Sequence, residues 1–164
     1  MDQCVNKLVA AQKLGVYVSV TLMQDSEVAI FKRLSTIGLI DKIDLKKLHV
    51  TLMYCKNPGN MHGINLNFNA KAEFASKIID IEFWEGHDKL GYLVAKLDSK
   101  QLHHEFRRLT ALGLKHSFDD YSPHVTLLTG DSARAAEKKI RKIKNALVGM
   151  SLILTNEKAE PLED

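Results

Sequence analysis

The sequence predicts an α+β fold built from two copies of one strand-helix-strand unit. When the 164-residue chain is shifted against itself by 75 residues, segments 16–54 and 91–129 align without gaps. Each copy opens with a β-branched-rich alternating stretch, continues with helical periodicity, and ends with His-Val-Thr-Leu, starting at His49 or at His124. We therefore expect a single domain over residues 1–164, with two pseudo-symmetric lobes and antiparallel sheets around a central cleft.

The first copy is expected to form a strand, a helix and a second strand. Tyr17–Leu22 has the composition of a half-buried strand. Asp25 or Ser26 is expected to cap the helix that follows, and Gly38 to end it. Three apolar residues at helical spacing are expected to face the core: Val28, Phe31 and Leu34. The second strand begins at Leu48.

The second copy repeats this order. Tyr92–Leu97 is the predicted first strand, and Ser99 the predicted N-cap of the helix. The helix is expected to end at Gly113, and the second strand to begin at His124. Its predicted core positions are Leu102, Phe106 and Leu109.

Further strands are predicted between the copies, at Ile64–Phe68 and Lys77–Trp84, with turns near Pro58-Gly59-Asn60 and Glu85-Gly86.

After the second copy, Ser132–Leu147 is predicted to be a helix and Ser151–Thr155 a last strand. The inward residues of that helix are expected to be Ala133, Ala136, Ile140 and Ile143. The same stretch is the most basic of the chain and is interpreted as a solvated helix face or, for RNA, a basic stripe: Lys138, Lys139, Arg141, Lys142 and Lys144.

The composition of the chain excludes several classes of function. The chain has a formal net charge of +3, with 45% hydrophobic and 26% charged residues, as in ordinary globular domains. This mild basic bias fits an anionic ligand, but not the dense basic patches of duplex-DNA binders. Cys4 and Cys55 form no C-x-x-C pair, and no segment approaches the ~20 apolar residues of a membrane span. We expect a soluble, cytoplasmic protein.

The two His-x-Thr motifs predict acid-base chemistry. Alternation along a strand places His49 and Thr51 on one face, and His124 and Thr126 on one face of the other strand. Cleavage of a ribonucleotide phosphodiester needs a base, an acid and donors to the phosphate oxygens, which two histidines and two threonines supply without metal or cofactor. Either histidine could fill either role. The other histidines are expected to be packed or surface residues: His62, His87, His103, His104 and His116.

A duplicated strand that carries H-x-T in each half resembles the 2H phosphoesterase superfamily, which implies a LigT-like 2H phosphoesterase fold. Within it, Gly15–Leu22, the Asp25-Ser26 helix start, Leu48–Tyr54, Trp84 and Thr155-Asn156-Glu157 are similar to segments of the phage anti-CBASS phosphodiesterases. That resemblance implies hydrolysis of 3′,5′-linked cyclic di- and trinucleotides, such as 3′,3′-cyclic GMP-AMP, in the host bacterial cytosol. It also implies a 2′-hydroxyl attack that opens the ring through a 2′,3′-cyclic phosphate.

The resemblance further implies ligand-binding roles for three residues. Tyr17 and Trp84 would be stacking platforms for nucleobases, although both could instead be core aromatics. Glu157 would be a polar contact in the cleft, and Glu160 is an equally allowed choice on the same tail.

Two other functions remain open. The same four His and Thr residues could open a 2′,3′-cyclic phosphate RNA end or cleave a 2′,5′-linked oligonucleotide. A non-catalytic nucleotide-binding module is the alternative from another class, although such modules carry aromatics and not histidines on their central strands. The sequence predicts neither the base preference nor the oligomeric state.

Overall fold

The computed structural model describes residues 15–39, 48–56, 68, 70–118 and 120–162. These residues form six strands and four helices. In chain order they are β1 (Val16–Leu22), α1 (Gln24–Ser35), β2 (His49–Cys55), β3 (Phe74–Glu85), β4 (Gly91–Asp98), α2 (Lys100–Ala111), β5 (His124–Thr129), α3 (Gly130–Glu137), α4 (Ile140–Leu147) and β6 (Ser151–Pro161). No helix in these ranges is long and apolar enough to cross a membrane.

The strands form one closed antiparallel ring in the order β1-β2-β5-β4-β3-β6. The two predicted repeats are β1-α1-β2 and β4-α2-β5, so the α+β class and the two pseudo-symmetric lobes are confirmed. The repeats meet where β2 lies beside β5. Val50 pairs there with Val125, the residue 75 positions later. We term these two residues the central pair.

One hydrophobic core joins the strands to the helices. The central pair is fully buried, as are Leu102, Leu109 and Ile143 on the helices. His49 is exposed and Thr51 half-buried, whereas Val50 between them has no exposed surface. Alternation along the strand therefore turns the His-x-Thr side chains away from the core.

Each repeat has a β-bulge at the same place. The register of β1 against β2 skips Leu52, and that of β4 against β5 skips Leu127. A bulge reverses the alternation beyond it. As a result Met53 is fully buried, and Tyr54 joins the face of His49.

The predicted cap of α1 is wrong. The helix begins at Gln24 and has no side-chain N-cap. The hydroxyl of Ser26 instead accepts a hydrogen bond from the backbone N–H of Ile153, at 2.8 Å, and so joins α1 to β6.

The predicted core face of α1 is also only partly correct. Leu34 is buried, but Val28 and Phe31 are 41% and 38% exposed. The buried stripe is Ser26, Ile30 and Leu34, which lie four residues apart. The hydrogen bond of Ser26 to β6 fixes this rotation of the helix, and apolar periodicity alone does not reveal it.

The last predicted helix is two helices. The backbone of Lys139, at φ −105° and ψ 11°, separates α3 from α4. Ala133, Ala136 and Ile143 are buried as predicted, whereas Ile140 is only partly buried. β6 continues beyond the predicted Thr155 end to Pro161.

The remaining local predictions have mixed outcomes. Ser99 caps α2 by accepting a hydrogen bond from the N–H of Leu102 at 3.1 Å. The turn after β3 is closed by a hydrogen bond from Gly86 N–H to the carbonyl of Leu90 at 2.9 Å. The predicted turn at 58–60 and the strand at 64–68, apart from Phe68, lie outside the described residues.

Candidate active site

A cavity of about 560 Å³ opens on the His-x-Thr face of the strands, within the size range of small-molecule sites. Five of the seven predicted site residues line it: Tyr17, Thr51, Trp84, His124 and Thr126. His49 is not part of the lining, but its ring meets that of the lining residue Tyr17 edge-on, with centroids 6.2 Å apart. Glu157 is not part of the lining.

The central pair sets the register of the two motifs. Antiparallel geometry about this pair places His49 across from Thr126. It likewise places Thr51 across from His124. Facing residues of such a pair have Cβ atoms about 4.5–5.5 Å apart. Each histidine therefore lies beside the threonine of the other motif.

His124 is held in one tautomer. Its Nδ1 lies 2.8 Å from the carbonyl oxygen of Ser122. Because a carbonyl can only accept, Nδ1 carries the hydrogen, and Nε2 of the neutral ring keeps a free lone pair. Burial lowers the pKa of His124, the Ser122 bond opposes this, and the charge of His49 adds to the lowering. A neutral ring with Nε2 as acceptor suits a general base.

Tyr17 contacts Thr51 directly, with its hydroxyl 2.9 Å from Oγ1. Its repeat partner, Tyr92, instead donates to the carboxylate of Asp88 at 3.0 Å. Burial raises the pKa of Tyr17, against the effect of the Thr51 bond and with help from Glu160. Thr51 therefore has a fixed hydroxyl partner, whereas the corresponding tyrosine of the second repeat bonds to a carboxylate instead.

Trp84 lies against His124, with ring centroids 4.5 Å apart and planes inclined by 64°. Its indole Nε1 donates to Glu82 at 2.6 Å, and Glu82 is paired with Lys96 at 3.3 Å. The hydrogen bond shows that Trp84 and Glu82 share a strand face, as predicted. It also fixes the orientation of the indole in the cavity wall.

Glu157 departs from the expectation that it contacts the cleft. The side chain is only 6% exposed and shares a hydrogen bond with Glu105 of α2. Asn156, at φ 55°, lies at a shift in the register of β6 against β1, so alternation reverses there and Glu157 turns inward. Glu160 pairs with Tyr17 across β1 and β6 and therefore shares its face.

The surroundings of Glu157 are strongly polar although buried. Arg108 donates to both carboxylate oxygens of Glu105, at 2.6–3.1 Å. Burial favours a higher pKa for Glu105, but the bonds from Arg108 and Glu157, together with the charges of Arg108 and His104, lower it overall. Burial and then Glu105 raise the pKa of Glu157 to about 8. The pair therefore holds one proton at neutral pH, on Glu157.

Eleven further residues line the cavity, and they include four that the sequence did not single out as binding residues: Tyr54, His116, Phe118 and Tyr121. Tyr54 reaches it because of the bulge in β2. The other three lie between α2 and β5, where neither strand nor helix periodicity applies. Tyr121 stacks on Phe106 with centroids 4.2 Å apart. The cluster of aromatics at 116–121 was the one available signal.

The cavity wall is rich in rings and hydroxyls. Within the described ranges, no three His, Cys, Asp or Glu side chains come together as a candidate metal site. Besides the imidazoles and hydroxyls described above, the wall carries the carboxylates of Glu85 and Asp120 and the imidazole of His87.

Relatives of the chain are phage proteins. Anti-CBASS protein Acb1 of Vibrio phage KVP40 is 28% identical over 117 residues, which are 71% of this chain and 74% of that protein. The Escherichia phage RB16 protein of the same name is 27% identical over 150 residues, 91% of this chain and 81% of that one. The Enterobacteria phage T4 protein is 28% identical over 116 residues, 69% and 70% of the two chains.

The fold has solved counterparts. The crystal structure of E. coli LigT complexed with NADP+ covers 92% of this chain and 95% of LigT, with a TM-score of 0.52 and 15% sequence identity. This confirms the predicted LigT-like fold. A family model described as anti-CBASS protein Acb1 matches residues 14–164. The chain therefore belongs to the Acb1 family of anti-CBASS proteins.

Proposed function

We propose that the protein is a phosphodiesterase that opens 3′,5′-linked cyclic di- and trinucleotides, such as 3′,3′-cyclic GMP-AMP, in the host bacterial cytosol. This would remove the messengers of CBASS defence. The observation that carries the proposal is the meeting of the two His-x-Thr motifs at the central pair, beside a cavity lined by aromatic rings. Membership of an anti-CBASS family supports the biological role.

The surroundings of the two histidines suggest their roles. Nε2 of neutral His124 removes the proton of a ribose 2′-hydroxyl, whose oxygen forms a bond to the phosphorus of the adjacent 3′,5′ linkage. The phosphorus–O5′ bond breaks, and protonated His49 gives its proton to the departing 5′-oxygen. The ring opens to a linear product with a 2′,3′-cyclic phosphate. The roles of the two histidines then reverse when water opens that phosphate.

The threonines complete the site. Hydroxyls of Thr51 and Thr126 are placed to donate to the non-bridging phosphate oxygens, where negative charge builds up. Tyr17 holds the Thr51 hydroxyl in position for this. No step requires a metal ion, so we propose that the reaction proceeds with EDTA present.

The test uses the purified protein with EDTA, 3′,3′-cyclic GMP-AMP and, separately, an RNA oligonucleotide ending in a 2′,3′-cyclic phosphate. We expect the cyclic dinucleotide to be opened. In both His49→Ala and His124→Ala, kcat should fall by roughly 10²- to 10⁴-fold, the usual contribution of one proton-transfer group. Turnover of the RNA end alone would transfer the function to RNA processing. Tight binding of the cyclic dinucleotide without turnover would instead indicate a non-catalytic binding module.

A further inference from the structure

The cavity has a second aromatic wall on the far side of His124 from Trp84. Tyr54 on β2 and Phe118 have ring centroids 5.8 Å apart and planes inclined by 37°. Both line the cavity. Trp84 belongs to β3, and β5 and β4 lie between β2 and β3 in the ring of strands. Aromatic surface is thus available on both sides of the proposed scissile phosphate.

Phe118 is unusually exposed for a phenylalanine, at 59%. The more deeply placed aromatic rings of this wall pack against one another, as the stacked rings of Phe106 and Tyr121 do. Phe118 contacts the rings of Tyr54 and His116, the latter at a centroid distance of 5.5 Å, and more than half of its surface stays exposed. Its outer face is therefore available to a flat apolar ligand.

Three hydrogen bonds hold the segment of Phe118 against β2. The N–H of Tyr54 donates to Nδ1 of His116 at 3.0 Å, and the N–H of Ser117 donates to the carbonyl of Tyr54 at 2.8 Å. The N–H of Lys56 donates to the Ser117 hydroxyl at 3.1 Å. Burial lowers the pKa of His116, which keeps Nδ1 available as an acceptor at neutral pH. Because the backbone is already fixed, ligand stacking costs little further ordering.

We propose that Tyr54 and Phe118 form the platform for the second nucleobase of the cyclic dinucleotide, while Trp84 carries the first. This inference rests on the proposed function. A cyclic dinucleotide projects one base to each side of its phosphodiester ring, so a phosphate held at His124 sends a base toward each wall. Stacking on an aromatic face tolerates all bases. The platform therefore contributes affinity for two-base rings and little discrimination between bases.

The single tryptophan of the chain provides the readout. Quenching of Trp84 fluorescence by 3′,3′-cyclic GMP-AMP gives Kd, measured in the His49→Ala background so that the ligand survives. We expect Phe118→Ala to raise Kd by roughly 5- to 150-fold, the usual contribution of one stacked base. Phe118→Leu should lie close to Phe118→Ala, whereas Phe118→Tyr, which keeps the aromatic face, should stay within twofold of the parent.

The matched control is Phe31→Ala, which removes another exposed phenylalanine, on α1 and outside the cavity. Its Kd should equal that of the parent. A Kd for Phe118→Ala within twofold of the parent would overturn the platform and leave the proposed function intact, as would a Phe118→Tyr variant as weak as Phe118→Ala. Failure of the unmutated protein both to bind and to open the ligand would overturn the proposed function and the platform together.

Discussion

At the scale of single residues, identical motifs have acquired different surroundings. The ring of His124 is half-buried against Trp84 and fixed by the carbonyl of Ser122, whereas His49 is exposed and contacts the ring of Tyr17. Thr51 has Tyr17 as a partner, and the repeat partner of Tyr17 bonds elsewhere. The symmetry of the sequence therefore does not extend to the surroundings of the motifs, and on this difference we base the roles proposed for the two histidines.

The pH dependence tests the role of His124 as base. A base must be deprotonated, so kcat/KM should rise with pH through the pKa of His124. Because burial lowers that pKa from its ordinary value of 6.5, the midpoint of the acid limb should lie below pH 6.5. Trp84→Ala uncovers the ring and should move the midpoint upward. A midpoint at pH 7 or above in the unmutated protein would contradict the assignment.

The pair Tyr17 and Tyr92 gives an internal control for positioning of Thr51. Tyr17→Phe removes the hydroxyl that contacts Thr51 and keeps the ring. Loss of one hydrogen bond of ~1 kcal/mol should lower kcat about fivefold. Tyr92→Phe removes only the exposed bond to Asp88 and should leave kcat within twofold. Equal effects of the two substitutions on steady-state kcat would refute the positioning role.

At the scale of elements, hydrogen bonds and bulges set the faces that apolar periodicity leaves open. The Ser26 bond to β6 determines how α1 is rotated, and the bulge at Leu52 brings Tyr54 into the cavity. Both features depend on partners far away in the chain. For this reason periodicity located α1 and β2 but misjudged the inward face of α1 at Val28 and Phe31, and it did not point to Tyr54 as a cavity residue.

The Ser26 bond should contribute measurably to stability. Ser26→Ala leaves the N–H of Ile153 without this acceptor in a part-buried position. We expect the free energy of unfolding to fall by about 1–2 kcal/mol in urea titrations. Ser35→Ala, which removes an exposed bond within the same helix, should change it by less than about 0.5 kcal/mol. Similar losses of unfolding free energy in both variants would show that the Ser26 bond to β6 stabilises the protein no more than the exposed Ser35 bond does.

At the scale of the whole molecule, the duplication explains what the sequence could predict. Two copies carry independent evidence for the same elements, so the α+β fold and the two lobes followed from an offset alone. Irregular and bulged segments were less predictable. Phe118 lies in an irregular segment, and Glu157 follows a bulge that reverses its face, so neither alternation nor periodicity located them correctly.

The buried pair of Glu105 and Glu157 links the last strand to the helix of the second repeat. Since burial raises the pKa of Glu157 from its ordinary value of 4.5 to about 8, the native state binds this proton more tightly than the unfolded chain. The resulting stability is complete below about pH 4.5 and is lost as pH rises through about 8. Glu157→Gln, which still donates to Glu105, should remove this loss.

Urea midpoints of both proteins at pH 5.5 and 8.5 measure this effect. We expect the advantage of Glu157→Gln over the unmutated protein to grow between the two pH values. Parallel changes in the two proteins would show that Glu157 does not titrate differently on folding.

The most direct test of the two-histidine mechanism is the fate of a substrate that lacks the attacking group. Purified protein with EDTA would be given 3′,3′-cyclic GMP-AMP and, in parallel, the analogue without 2′-hydroxyls, and products would be separated by chromatography. The mechanism predicts that the ribose form is opened and the deoxy form stays intact. Cleavage of the deoxy form at the same rate would contradict attack by the 2′-hydroxyl, and with it the roles given to His124 and His49.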